Sequence, residues 1–185
     1  MNIIDVIKSG DYLILDTETT GLGSDAEICQ IAIINSKGET LLDTLVKPVK
    51  PIPEDATRIH GITNEMVRFV GEFPAIEIYE LLHKRNVIIY NSAYDVGMLY
   101  QSEKAIKNSY LYDWRNNSFF HCAMKHFAPI YGDWNDYRKS YRWKSLSAAC
   151  EHYGIPVSEN VHSALADALM TLEVCKAMAA SEAVE

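Results

Sequence analysis

Four apolar residues, Tyr12-Leu13-Ile14-Leu15, run without a break into Asp16-Thr17-Glu18-Thr19-Thr20-Gly21. A run this short and fully apolar reads as a buried strand. Residues two apart in a strand share a face, so Asp16 and Glu18 project together where the strand ends. Two carboxylates directly behind a buried strand are electrostatically costly unless a cation compensates. The spacing alone is weak, because 25 acidic residues in 185 give about one Asp-x-Glu pair by chance. Asp25-Ala26-Glu27 is such a coincidence, lying ahead of a strand rather than at the end of one. Position, not spacing, singles out Asp16 and Glu18.

The remainder of the chain reads as an α/β domain. Residues 27–35 and 40–46 form two further strands joined by a tight turn at Ser36-Lys37-Gly38. Residues 47–53 carry three prolines and cannot be helix. Thr63 starts a short helix, and Pro74 opens a second that runs to about residue 85. A fourth strand at 87–90 passes directly into a helix over 93–104. A fifth strand near 118–121, a helix near 122–127 and an exposed polar-aromatic loop over 133–142 follow. Helices over 145–153 and 163–180 close the chain, with Gly154-Ile155-Pro156 between them. In the last one Leu165, Ala168, Leu169, Leu172, Cys175 and Ala179 share a face. No repeat or low-complexity linker divides the sequence, so residues 1–185 read as one domain with a mixed sheet.

Two more acids fall where such a sheet would use them. Asp95 lies five residues beyond the strand ending at Tyr90, and ligands of open α/β sheets gather outside the carboxyl ends of strands. Read alone, it equally suits the N-terminus of its own helix. His162 and Asp167 are separated by five positions, which on one helix would turn them about 140° apart. They converge only if His162 lies in the preceding loop, with Ser163 at the cap and Asp167 in the first turns. Gly154, Pro156 and Asn160 favour such a loop.

Composition narrows the partners. A net charge of -8 argues against a polyanionic ligand, but the charge is uneven. Residues 107–144 hold seven basic and three acidic residues, and 11 of the 19 aromatics. No apolar run approaches the roughly 18 residues of a membrane helix, and the N-terminus lacks a basic secretory n-region. Cys29, Cys122, Cys150 and Cys175 form no Cys-x-x-Cys pair and read as reduced, mostly buried thiols, so a cytoplasmic location is expected. His121, Cys122, His126, Cys150 and His152 have no zinc-site spacing. There is neither a Gly-rich phosphate loop nor a Gly-x-Ser-x-Gly elbow.

Taken together, Asp16-x-Glu18, Asp95 within Tyr90-Asn91-Ser92-Ala93-Tyr94-Asp95, and His162-x4-Asp167 resemble the three motifs of the DEDDh group of DnaQ-like 3′→5′ exonucleases. Asp16-Thr17-Glu18-Thr19-Thr20-Gly21-Leu22 matches the first motif in full, and Ile59-His60-Gly61-Ile62-Thr63 resembles the segment after the third strand. The resemblance runs from about Tyr12 to Ala177. The histidine five before Asp167 places it on the histidine branch rather than the tyrosine one. It implies a ribonuclease H-like fold, with a mixed five-stranded sheet flanked by helices.

The resemblance also implies a chemistry. Four crowded carboxylates would not all stay ionised unaided. Two divalent cations about 3.5–4 Å apart would resolve this and let an acidic site accept a phosphodiester. All-oxygen donors suit Mg²⁺ or Mn²⁺. Asp16 is expected to bridge both ions, Glu18 and Asp167 to complete the site of the attacking water, and Asp95 to support the leaving-group ion. His162 is expected to deprotonate that water, since an imidazole titrates near neutrality. The backbone around Thr17, Thr19 and Thr20 would approach the terminal 3′-hydroxyl, with Leu22 a wedge beside the terminal base. His60 would line the same cleft, and Asn91 and Tyr94 the penultimate nucleotide. For Leu22 and Tyr94 ordinary core packing is an equal alternative.

Trp134, Tyr137, Arg138, Lys139, Tyr141, Arg142 and Trp143 are candidates to stack and pair with a single strand, with anchoring of the helix start after Lys144 the alternative for Trp143. The expected substrate is DNA, as single strands or 3′ tails, with release of nucleoside 5′-monophosphates. RNA or short oligonucleotides are the alternative, and a nucleic-acid-binding subunit of a replication or repair assembly is the reading from another class. No membrane partner is expected.

Overall fold

A computed structural model describes residues 2–106, 112–157 and 162–181. Lys107, Tyr110, Asn160 and Val161 lie outside the described residues.

The chain begins with a helix that the apolar pattern alone did not announce, α1 (Ile3–Ser9). Asn2 caps it through Oδ1, and Gly10 ends it in the left-handed region. Strands β1 (Leu13–Thr19), β2 (Ile28–Asn35) and β3 (Thr40–Leu45) form an antiparallel meander. Gly38, at φ 85°, makes the turn before β3.

Helices α2 (Glu54–His60) and α3 (Ala75–Leu82) lead to β4 (Asn86–Ile89), which pairs parallel with β1. Then come α4 (Ser92–Ala105), the single turn α5 (Trp114–Asn117), β5 (Phe119–Cys122) parallel to β4, and α6 (Ala123–Tyr131). A small antiparallel ribbon, β6 (Trp134–Asn135) with β7 (Ser140–Tyr141), precedes α7 (Leu146–Tyr153) and α8 (Ala164–Ser181). The main sheet has the order β3-β2-β1-β4-β5.

Alternation along β1 divides the core into two layers. Tyr12 and Ile14 face α1, α6, α7 and α8, whereas Leu13 and Leu15 face α3 and α4. On the α4 layer the indole of Trp114 is fully buried and donates from Nε1 to Glu103 at 2.9 Å, so a buried carboxyl group is tied to the largest core side chain. All four cysteines are free; Cys29, Cys150 and Cys175 are buried and Cys122 half-buried. Among the described residues no helix is long and apolar enough to cross a membrane.

Three expectations need correction. No helix starts at Thr63: its hydroxyl accepts from the Met66 N–H at 3.2 Å, which closes one turn, and residues 64–69 stay in turns. The helix of this region is instead α2, begun by Pro53-Glu54-Asp55 with acids in its first turn. Residues 133–142 are not a plain loop but the β6–β7 ribbon, whose turn is set by Asn135 Oδ1 accepting from Tyr137 and Arg138 N–H at 3.1 Å. On α8, Leu169 is exposed, and Met170, Thr171, Val174 and Met178 take core positions because the helix is buried over a wider arc than one stripe.

Candidate active site

The parity of β1 that sorts the core also sorts the acids. Asp16 and Glu18 continue the Tyr12–Ile14 face and meet Asp167, in the first turn of α8. One carboxylate oxygen from each of Asp16, Glu18 and Asp167 lies within 4.8 Å of the others. Gln30, the β2 partner of Glu18, accepts from the Ala164 N–H at 3.3 Å and so holds the start of α8 beside the pair. The Ser163 carbonyl accepts the Asp167 N–H at 2.9 Å, placing Ser163 at the cap and His162 before it in the loop.

Asp95 reaches the same place from the other layer. It sits in the first turn of α4, 4% exposed, and accepts from the Thr17 hydroxyl at 2.8 Å. Thr17, on the opposite face of β1 from Asp16, thus joins the two layers at the strand end. Asp16, Glu18, Asp95, His162 and Asp167 line one cavity of about 170 Å³, together with Thr17, Tyr90, Asn91, Tyr94 and Leu146.

Electrostatics in this cavity follow from four carboxyl groups drawn together out of water. Burial pushes the Asp16 carboxyl well above its ordinary range, and Asp95, Asp167 and Glu18 push it further. Glu18 is raised to about 8 by burial and then by Asp167 and Asp95. Asp95 is raised to about 7 by burial, against the Thr17 hydroxyl and its own backbone N–H. Asp167 is raised by burial, partly offset by His162. Asp167 Oδ1 is buried without a hydrogen-bond partner. An orphaned carboxylate oxygen beside two further carboxylates fits a hard divalent cation, which takes oxygen ligands.

The acids open onto a cleft of about 600 Å³ that shares Thr17, Glu18, Asn91 and Tyr94 with the acidic cavity and adds Thr19, Gly21, Leu22, Asp55, Ala56, Ile59 and His60. The register of β1 with β2 shifts between Glu18 and Thr19, which re-aims the chain into this cleft. Gly21, at φ 148°, completes the turn, and its carbonyl accepts from Thr19 Oγ1 at 3.1 Å and Tyr94 OH at 2.9 Å. Leu22 is 88% exposed, which removes core packing as the account of its position. Tyr94 is half-buried and fastens the 19–21 segment. Thr20 lines neither cavity: its hydroxyl accepts from the Glu27 N–H at 3.0 Å across the turn. His60 accepts from the Ile62 N–H at Nδ1, 3.0 Å, so its neutral ring carries the proton on Nε2. Burial lowers its pKa, opposed by the Thr19 carbonyl.

Asp55, Ala56 and Ile59 were not expected in the cleft. The signal was present in Pro53-Glu54-Asp55, a helix start just after the proline-rich segment. Tyr90 and Leu146 were likewise missed. The Tyr90 hydroxyl donates to the Lys144 and Ser145 carbonyls, both at 2.9 Å, and so fixes the entry of α7 against the acidic cavity. Tyr90→Phe is expected to lower the unfolding free energy by about 1–2 kcal/mol, read as a lower urea midpoint at constant m-value.

The sequence pattern of the RNase T exonuclease family matches residues 13–175. The chain is 42% identical over 178 residues to the uncharacterized exonuclease CP81 of Escherichia phage 186, covering 91% of this chain and 88% of that protein. It is 31% identical to the DNA polymerase III subunit epsilon of Buchnera aphidicola subsp. Schizaphis graminum, over 85% and 70% of the two chains. Among solved structures it superposes on E. coli exonuclease I in complex with a dT13 oligonucleotide with a TM-score of 0.70 at 22% identity, covering 90% of this chain and 40% of that one. Exonuclease X in complex with 5′ overhanging duplex DNA superposes with a TM-score of 0.61 at 20% identity, over 92% and 93% of the chains.

Proposed function

The chain belongs to the RNase T family of exonucleases, and from that premise we propose that it removes nucleotides from the 3′ end of single-stranded DNA or 3′ tails, with Asp16, Glu18, Asp95, His162 and Asp167 as its reacting centre. It is a DnaQ-like 3′→5′ exonuclease on the ribonuclease H-like fold, a phosphodiester hydrolase that depends on divalent metal. The observation that carries the assignment of residues is the convergence of Asp16, Glu18 and Asp167 within 4.8 Å, with Asp167 Oδ1 unbonded, in a cavity that shares Glu18 with the neighbouring cleft.

Asp16, Glu18 and Asp167 would hold the metal, and Asp95 would complete the set. The all-oxygen donors favour Mg²⁺ or Mn²⁺. When bound, such ions supply Lewis acidity and a more acidic water, and offset the charge of the phosphodiester. His162 is exposed on the cavity rim, where an imidazole nitrogen can take the proton of the attacking water and return it to solvent. Its backbone stands at φ 72°, an uncommon conformation for a side chain-bearing residue, and this turns the loop immediately before α8. In the cleft, the chain from Thr17 to Gly21 offers backbone groups to a terminal sugar. Leu22 offers an apolar edge to a terminal base, with His60 opposite and Asn91 and Tyr94 toward the next nucleotide. Thr20 would act only through the shape of its turn.

The test is release of nucleoside 5′-monophosphates from 3′-labelled single-stranded DNA, blocked by chelator, with matched RNA in parallel. His162→Ala is expected to lower turnover by about 10²–10³-fold while metal still raises the melting temperature. Near wild-type turnover in that variant would remove His162 as the base. Faster hydrolysis of RNA would move the substrate assignment. The likeness to polymerase epsilon subunits supports a replication or repair protein as partner, and co-purification with such a protein would bear on it.

A further inference from the structure

The β6–β7 ribbon lies outside the main sheet, and nothing in the reacting centre uses it. A lone two-stranded ribbon is marginal in water. This one is braced at its base, where Asp133 takes both Arg142, at 3.0 Å, and Lys144, at 2.6 Å. The Trp134 and Tyr141 rings meet edge to face at 5.0 Å. Yet it presents large aromatics to solvent, with Tyr137 95% and Trp143 62% exposed. Against it opens a cavity of about 580 Å³ lined by Asn135, Arg138, Ser140, Tyr141, Arg142 and Trp143. In a chain of net charge -8, this cavity has two guanidinium groups and no carboxylate on its wall.

Of the two acids of the ribbon, Asp133 engages one nitrogen of Arg142 and Lys144, and Asp136 lies toward Lys139 at 3.8 Å. No carboxylate among the described residues pairs with Arg138. Arg142 gives one nitrogen to Asp133 and keeps the rest of its donors. Guanidinium forks match phosphodiester oxygens, and the ring faces match bases. Only unpaired bases can use those faces, so the chemistry favours a single strand over a duplex or a small anion.

The ribbon is also attached to the reacting centre. Tyr90, which lines the acidic cavity, holds the Lys144 and Ser145 carbonyls, and Leu146 lines that cavity itself. Trp143 is three residues from Leu146, a span of at most about 11 Å. That is about three nucleotides at the stacked rise of 3.4 Å. The Leu22–His60 cleft opens from the acids through Thr17, Glu18, Asn91 and Tyr94, whereas Leu146 belongs to the acidic cavity alone. We propose that the β6–β7 ribbon is an auxiliary polynucleotide site, which grips the single-stranded segment leading into the acidic cavity through Arg138, Arg142, Tyr141 and Trp143. It rests on the nuclease reading for the identity of the strand, but its binding is measurable without turnover.

The experiment measures binding of 5′-fluorescein dT20 by anisotropy across a salt series, in an Asp16→Asn background so that the strand stays intact. Arg138→Ala is expected to reduce the slope of log K against log[salt] by about 0.7, the value for one phosphate on a single strand, and Arg138→Lys to restore it. Trp143→Ala is expected to weaken binding about 5- to 20-fold, with Trp143→Phe keeping most of it. Both losses should vanish on a dinucleotide, whose single step of about 3.4 Å falls short of the ribbon. Losses of equal size on the dinucleotide and the 20-mer, or a slope that Arg138→Ala leaves unmoved, would overturn the proposal. If the wild type releases no nucleotides but the slope still responds to Arg138, only the nuclease reading fails. If nucleotides are released and the slope does not respond, only the ribbon site fails.

Discussion

Asp16→Asn is expected to cut turnover on single-stranded DNA by about 10³-fold or more, and at the same time to make the metal-free protein more stable. The two effects have one cause. Asp16 stands between Glu18, Asp167 and Asp95, and burial together with those charges holds its carboxyl well above the usual range. If Asp16 holds metal as proposed, removing the carboxylate takes away a ligand worth several kcal/mol in the transition state, and each 1.36 kcal/mol is a factor of ten. In the absence of metal the same carboxylate is a liability, and an amide of the same shape is free of the repulsion. At pH 8 with chelator present the gain should appear as a higher melting temperature. Nucleotide release and a thermal melt in EDTA check the two halves. A variant that is inactive and also less stable would make Asp16 a structural acid.

The second large effect is a pH dependence that metal should invert. A carboxyl whose folded pKa is raised binds protons more tightly when folded, so folding draws no penalty below the unfolded value near 4.5. As pH climbs, the unfolded chain ionises first. The metal-free protein should therefore lose stability steadily from about pH 4.5 to about pH 8, where Glu18 titrates in the folded state, with Asp95 titrating near 7 on the way. A divalent cation binds the ionised form, so its stabilisation grows over the same interval. At a metal concentration of about 100 times the dissociation constant the gain is about 2.7 kcal/mol. Melting in EDTA and in Mg²⁺ at pH 5.5 and pH 8 measures this. An equal metal effect at the two pH values would show that these carboxylates do not hold the ion.

Much of the site was legible in the sequence because strand parity and strand ends are local properties. Leu13, Ile14 and Leu15 announce β1, and two-residue alternation then fixes which side Asp16 and Glu18 take. Asp95 could be placed at the sheet edge because β4 passes directly into α4. The division of the acids between two layers was not legible, since it depends on which helix covers which face, and the Thr17–Asp95 hydrogen bond spans 78 positions. Helix α2 was obscured because seven residues with one buried side chain, Ala56, leave no apolar period to read. The ribbon was obscured for a related reason. Each of its strands is two residues long, and Asn135 sets its turn without a glycine at the tip.

The placement of Asp167 has a consequence for how the protein is made. Three of the four acids lie between positions 16 and 95, but His162 and Asp167 come at the start of the last helix described. In the order of synthesis the proposed centre is therefore completed last, when α8 docks on β1 and β2.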